Sequence, residues 1–205
     1  MLRGCGLNKF WQSWSKERNR IIIFSGVFDP IHKGHIAAAE KASGWFGRKV
    51  IFLPEPVPTH KKEASLFKDR LKMLELAINN NTKFLVLESP IDQHRIPETL
   101  NWLKNKFGNR QNFGLLIGSD VAYYINAWEN VEKLAEYGVD KLIITDRSTS
   151  SVHDLPEIKI PGVNVQVMKA DNNHMTSSVI RSDFKSYQTS VPSASAHYAV
   201  VNKLY

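Results

Sequence analysis

Six short apolar runs recur along this chain, with helical periodicity between them. The runs are "RIIIFSG" (20–26), "KVIFLP" (49–54), "KFLVLE" (83–88), "NFGLLIG" (112–118), "DKLIITD" (140–146) and "VNVQVMKA" (163–170). Most are continuous rather than alternating, which is the pattern of strands covered on both faces. Helices are predicted over "KGHIAAAEKASGWF" (33–46), "LFKDRLKMLELAIN" (66–79), "ETLNWLKNKF" (98–107) and "WENVEKLAEY" (128–137). Two more, "SSVIRSDFKS" (177–186) and a stretch from Ser193 to Leu204, close the chain. Alternation of this kind predicts an α/β fold: a doubly wound parallel sheet of five to six strands with helices on both faces.

A chain of 205 residues has room for one such domain, spanning residues 20–205 behind an N-terminal extension, 1–19. In the extension Leu7, Phe10, Trp11 and Trp14 fall at helical spacing, and the continuous apolar core of a secretory signal is missing. Nowhere does an apolar run approach the roughly 20 residues that cross a bilayer. Cys5 is the single cysteine, so no internal disulfide can form, and a cytoplasmic, reducing setting is expected. The net charge is +7, but residues 1–20 hold five basic residues against one acid. The rest is close to balanced, so neither nucleic acid nor a membrane is an expected partner.

The first run hands over to a helix through "SGVFDPIHKGH" (25–35). In a doubly wound sheet, ligands bind beyond the carboxyl ends of the strands, where strand order reverses. Gly26 is expected to let the backbone approach a ligand closely. Pro30 holds Asp29 away from helical geometry, so the helix starts near His32 or Lys33. His32, Gly34 and His35 then occupy the first turn, where unpaired amides and the helix dipole favour an anion. Three residues apart, the two imidazoles project from one side, with Gly34 leaving room between them. Phosphate binding fits this pattern better than zinc, because His60, His94, His153, His174 and His197 are scattered and only one cysteine exists. Plain capping is the bland alternative. Neither G-x-x-x-x-G-K-[ST] nor G-x-G-x-x-G is present, so the histidines stand where a P-loop would use lysine.

A second helix start repeats the theme. Thr176, Ser177 and Ser178 offer hydroxyls and backbone amides, and Arg181 lies on the same face one turn later.

"GVFDPIHKGH" resembles the H-x-G-H motif of the nucleotidylyltransferase superfamily, and further segments are similar to bacterial nicotinate-nucleotide adenylyltransferases. These are "LPEPVPTHKK" (53–62), "DRLKMLELAI" (69–78), "LIGSDVAYYINAWENVEKL" (116–134), "MTSSVIR" (175–181) and the ending "VPSASAHYAVVNKLY" (191–205). The resemblance covers about residues 21–205 and implies a Rossmann-like fold and direct attack of an acceptor phosphate on the α-phosphorus of ATP. It further implies catalytic roles for His35, His32 and Arg181. Ser25, Gly26, Val27, Gly34, Gly118, Asp120, Ser177 and Ser178 would join them in binding ATP, and Mg2+ would arrive with the nucleotide. Phe28, His60, Lys61, Arg95, Thr99 and Trp128 would bind the acceptor, Trp128 by stacking on a pyridine ring.

Two departures from the family pattern stand out. Val27 replaces a threonine or serine. The family's S-Y-T-x-D-T acceptor loop corresponds to "HRIPETL" (94–100), where only Glu98-Thr99 match and His94, Arg95 and Ile96 replace the residues that would hold a nicotinate carboxylate. The implied substrates are ATP and nicotinate mononucleotide. The alternatives are a different phosphorylated acceptor, or a nucleotide-binding regulator without turnover. A homo-oligomer is compatible with the sequence.

Overall fold

The computed structural model describes residues 21–58, 63–109, 111–146, 155–170 and 175–205. Six strands, β1 (Ile21–Gly26), β2 (Lys49–Pro54), β3 (Phe84–Val86), β4 (Phe113–Gly118), β5 (Val139–Asp146) and β6 (Asn164–Lys169), form one sheet. Every pairing is parallel and the order is β3-β2-β1-β4-β5-β6. Strand order therefore reverses between β1 and β4, and their carboxyl ends flank a crevice.

The continuous apolar runs explain themselves in this setting. Ile22 and Phe24 of β1, with Val50 and Phe52 of β2, belong to one buried layer; Ile21, Ile23, Ile51 and Leu53 belong to the layer on the opposite face. A strand that feeds two cores favours apolar residues at successive positions.

Helices α1 (Lys33–Phe46), α2 (Phe67–Ile78) and α3 (Ile96–Phe107) match the sequence reading to within two residues. A four-residue turn, α4 (Ser119–Ala122), follows β4. The helix expected over 128–137 does not form. Trp128 is extended and Asn130 sits in the left-handed region at φ 61°, so only a 3-10 turn, Val131–Lys133, remains. The helix expected over 177–186 breaks at Asp183 into α5 (Ser177–Ser182) and α6 (Phe184–Tyr187), because Asp183 turns its carboxylate onto the amide of Ser186. The last helix, α7 (Ser193–Val201), ends three residues short of the expected Leu204. The amphipathic helix expected near Trp11 lies outside the described residues, and among those described no helix is long and apolar enough to cross a membrane.

Among the described residues, Arg70 of α2 is the largest side chain fully enclosed, at 1% exposure. Its guanidinium donates to the carbonyls of Ser65, Val27, Glu55 and Pro56 at 2.8–2.9 Å. One planar fork thereby ties α2 to the segments that follow β1 and β2. Burial lowers its pKa from the usual arginine value without threatening its charge. Arg70→Leu should cost about 3–5 kcal/mol in urea unfolding, since four carbonyls lose their donor; Arg70→Lys should recover little of it, because a point charge cannot reach all four.

Candidate active site

The turn between β1 and α1 is built from the inside. Gly26 lacks a side chain because a Cβ there would meet the Phe28 ring at 3.2 Å. The close approach expected of Gly26 is thus first made to Phe28, whose φ of 51° folds its ring back into the core against Phe24 and Phe52. Phe28 is buried, so the ring expected to touch an acceptor instead backs His35, 5.2 Å away between centroids. The Asp29-Pro30 peptide is cis.

His32, extended at φ −136°, sits immediately before α1. Its amide donates to Nδ1 of His35 at 3.2 Å, and the two rings lie 3.7 Å apart between centroids. A ring whose Nδ1 accepts carries its proton on Nε2 when neutral, so His35 can present Nε2–H as a donor. Not every first-turn amide is available for an anion, contrary to the expectation from sequence. Those of His35 and Ile36 bond to the His32 carbonyl at 2.9 and 3.3 Å, which leaves Lys33 and Gly34 as the positions without an intrahelical partner.

The second helix start lands on this turn. Ser177 Oγ donates to the Pro30 carbonyl at 3.0 Å, and Arg181 Nη1 donates to the Asp29 carbonyl. The same nitrogen lies 3.8 Å from Asp29 Oδ2, and Arg181 Nη2 reaches Ser178 Oγ at 3.5 Å. Thr176 caps α5 by accepting from the amide of Val179 at 3.2 Å. Ser178 is exposed and Arg181 half-buried, whereas the Ser177 hydroxyl is spent on the turn. Two segments almost 150 residues apart in the chain meet at the crevice.

Gly118 ends β4 beside β1, and Asp120 is exposed in the first turn of α4. Trp128 is half-buried against the layer that holds Ile117, Ile125 and Leu134. Val27 offers its carbonyl to Arg70, and its side chain has no hydroxyl to add. Arg95 is exposed at the start of α3, and Thr99 is buried one turn further on. His60 and Lys61 lie outside the described residues.

Three participants carry no sequence signal that marks them as site residues. His94 stands out in the sequence only as a departure from the family loop, yet its Nδ1 is hydrogen-bonded to Ser25 Oγ across 2.7 Å at the end of β1. Asp29 reads as a helix delimiter; it is fully buried and accepts from the Tyr205 hydroxyl at 2.5 Å and the Ser65 amide at 3.0 Å. Tyr205 has no local feature that points to its role. Among the described residues, no three His, Cys, Asp or Glu side chains converge to hold a metal.

A doubly wound sheet with paired histidines at its switch point defines a class of nucleotide-handling α/β proteins, and the Cytidylyltransferase-like family model matches residues 23–183. A probable nicotinate-nucleotide adenylyltransferase of Aquifex aeolicus is 34% identical over 62% of this chain and 76% of its own length. One of Neisseria meningitidis is 28% identical over 91% of this chain and 98% of its own. The chain belongs to the nicotinate-nucleotide adenylyltransferase family. Its fold is also that of the Plasmodium falciparum nicotinic acid mononucleotide adenylyltransferase complexed with NaAD, with a TM-score of 0.72 at 20% identity, covering 92% of this chain and 98% of that one. The Vibrio parahaemolyticus structure of a putative nicotinate-nucleotide adenylyltransferase aligns with a TM-score of 0.62 at 16% identity, over 91% and 95%.

Burial pushes the His94 pKa down to about 4, so its ring is neutral at pH 7. The unfolded chain takes up that proton near pH 6.5, well before the native state does. Stability is therefore complete above about 6.5 and is lost as pH falls towards 4. Between pH 7 and 5 the loss should be about 1–2 kcal/mol in urea unfolding, and His94→Gln, which still reaches Ser25, should abolish that share.

Proposed function

We propose that this protein transfers the adenylyl group of ATP to nicotinate mononucleotide, forming deamido-NAD and pyrophosphate in NAD biosynthesis. The observation that carries the reading is the seating of α5 on the histidine turn, through Ser177 to Pro30 and Arg181 to Asp29. Two amino-terminal helix turns with a cation between them suit a chain of phosphates at the switch point.

An oxygen of the acceptor phosphate attacks the α-phosphorus in line. The bond from the α-phosphorus to the bridging oxygen of the β-phosphate breaks, and pyrophosphate leaves with the electron pair. The chain supplies position and charge rather than a nucleophile. His35 Nε2–H and the first amides of α1 hold the α-phosphate as charge grows on it, and His32 orients His35 through its own amide. Ser178 and Arg181 take the β- and γ-phosphates, while Ser177 fixes their helix to the turn. Asp120, exposed in the first turn of α4, is assigned to the ATP ribose through the family's G-x-D segment. Magnesium arriving with the nucleotide would neutralise charge on the triphosphate; among the described residues no three His, Cys, Asp or Glu side chains converge to hold a metal.

On the acceptor side, His94 Nε2 and Thr99 Oγ1 are buried without a hydrogen-bond partner among the described residues. Buried polar atoms in that state cost free energy that a polar ligand can relieve. They stand with Arg95 on the loop where the family pattern is altered, and Trp128 supplies an aromatic face. The same departure favours a second reading, in which a different phosphorylated acceptor binds at this loop.

Pyrophosphate release from ATP, magnesium and each candidate acceptor decides between them. Release with nicotinate mononucleotide supports the first reading, release only with another acceptor supports the second, and ATP binding without any release refutes both. His35→Ala should lower kcat about 10²–10³-fold while shifting ATP affinity less than about threefold; calorimetry with a non-hydrolysable ATP analogue checks the second half, and equal losses would strip His35 of its role at the α-phosphate.

A further inference from the structure

Outside the groups just assigned, the described part of the molecule holds one buried carboxylate that meets the site from behind. Asp29 is fully enclosed, and three elements converge on it. Oδ2 accepts from the Ser65 amide ahead of α2 at 3.0 Å and lies 3.8 Å from Arg181 Nη1 of α5. Oδ1 accepts from the hydroxyl of Tyr205, beyond the end of α7, at 2.5 Å. The Tyr205 ring in turn packs on Phe184 of α6, 5.1 Å between centroids and 36° from parallel. Tyr205 is thus clamped between the element that follows Arg181 and the carboxylate that faces Arg181. Its hydroxyl stays protonated: burial raises its pKa well above the ordinary tyrosine value, and the bond to Asp29 adds to that rise.

We propose that Tyr205 is a positioning residue for catalysis, orienting Asp29 so that Asp29 aims Arg181 at the triphosphate. The inference rests on Arg181 as the phosphate contact. A guanidinium free to rotate would sample several orientations and lose its direction. Asp29 prevents this by engaging Arg181 from one side with a carbonyl and a carboxylate oxygen held apart from each other. That carboxylate can keep its own rotamer only while its other oxygen is anchored, and Tyr205 is the side-chain anchor. The phenol never touches substrate, so its effect on phosphates passes through two residues.

A control exists a few residues earlier in the chain. Tyr198 of α7 donates to Asp69 Oδ1 at 2.8 Å, a second tyrosine–aspartate bond with no link to Arg181. If such bonds served stability alone, losing either would leave the kinetics alike.

The test is a set of single and double variants assayed at least 15 °C below each melting point. Tyr205→Phe keeps the stacking on Phe184 and removes only the hydroxyl. It should lower kcat/KM for ATP about tenfold, or about 1.4 kcal/mol, with KM for the acceptor unchanged within twofold. Tyr198→Phe should leave both constants within twofold. In an Arg181→Lys background, adding Tyr205→Phe should cost less than twofold, since the group it positions is gone. A full tenfold loss in that background, equal loss in the two tyrosine variants, or a parallel rise in both KM values would overturn the proposal. Should Tyr205→Phe fail to fold, Tyr205→His, which keeps a ring beside Phe184 but lacks the phenol that reaches Asp29, replaces it in the same cycle with the same expected non-additivity. Wild-type protein that released no pyrophosphate with any acceptor would sink the functional reading instead. Binding of a non-hydrolysable ATP analogue then decides the positioning role: about tenfold weaker in Tyr205→Phe sustains it, and unchanged affinity ends it.

Discussion

The buried Asp29 carboxyl is the constraint on which the joining of distant segments at the first turn depends. A carboxylate taken out of water is tolerated only when its oxygens are paired, and its partners come from three distant parts of the chain. Ser65 precedes α2, Arg181 lies in α5 and Tyr205 follows α7. Satisfying one charge thus requires the closing third of the chain to dock on the first strand–helix turn. The docking brings α5 onto the turn that carries the histidines, through Ser177 to Pro30 and Arg181 to Asp29.

The sheet supplies the other half of the geometry. Its order reverses between β1 and β4, so the helices that follow those strands leave on opposite faces and open a crevice. The paired imidazoles stand at one lip, held by the His32 amide and by the Phe28 ring beneath. Arg70 does similar work with a positive charge, gathering carbonyls from the segments after β1 and β2. Arg70 holds the turn at 27–29 through the Val27 carbonyl, and Tyr205 holds it through the Asp29 carboxyl, so it is fixed from two sides. Preorganisation of this kind is what a reaction without a protein nucleophile demands.

Strand positions were legible because a buried parallel strand needs apolar residues on both faces, and nothing else in the chain shows that density. The histidine turn and the Ser-Ser-x-x-Arg start were legible because helix starts carry local signals. Misreadings arose where local and tertiary demands part. "WENVEKLAEY" has helical spacing, yet Asn130 takes a left-handed conformation and the apolar residues serve the core through turns instead. The family resemblance implies that Phe28 contacts the acceptor, whereas its ring, at a φ of 51°, is buried in the core. Ser177 reads as a phosphate contact, but its hydroxyl closes the joint between the two segments.

By itself the sequence determined the α/β class, the six strands and where the two helix starts fall, since all of these depend on residues near one another in the chain. Only the tertiary structure decided that Arg181 faces Asp29, that His94 meets Ser25 and that Tyr205 reaches the turn from 176 residues away. Such contacts are fixed by how the layers pack and where buried charges find partners. Periodicity carries no record of that, because it reports which face of an element is apolar and not what lies against it.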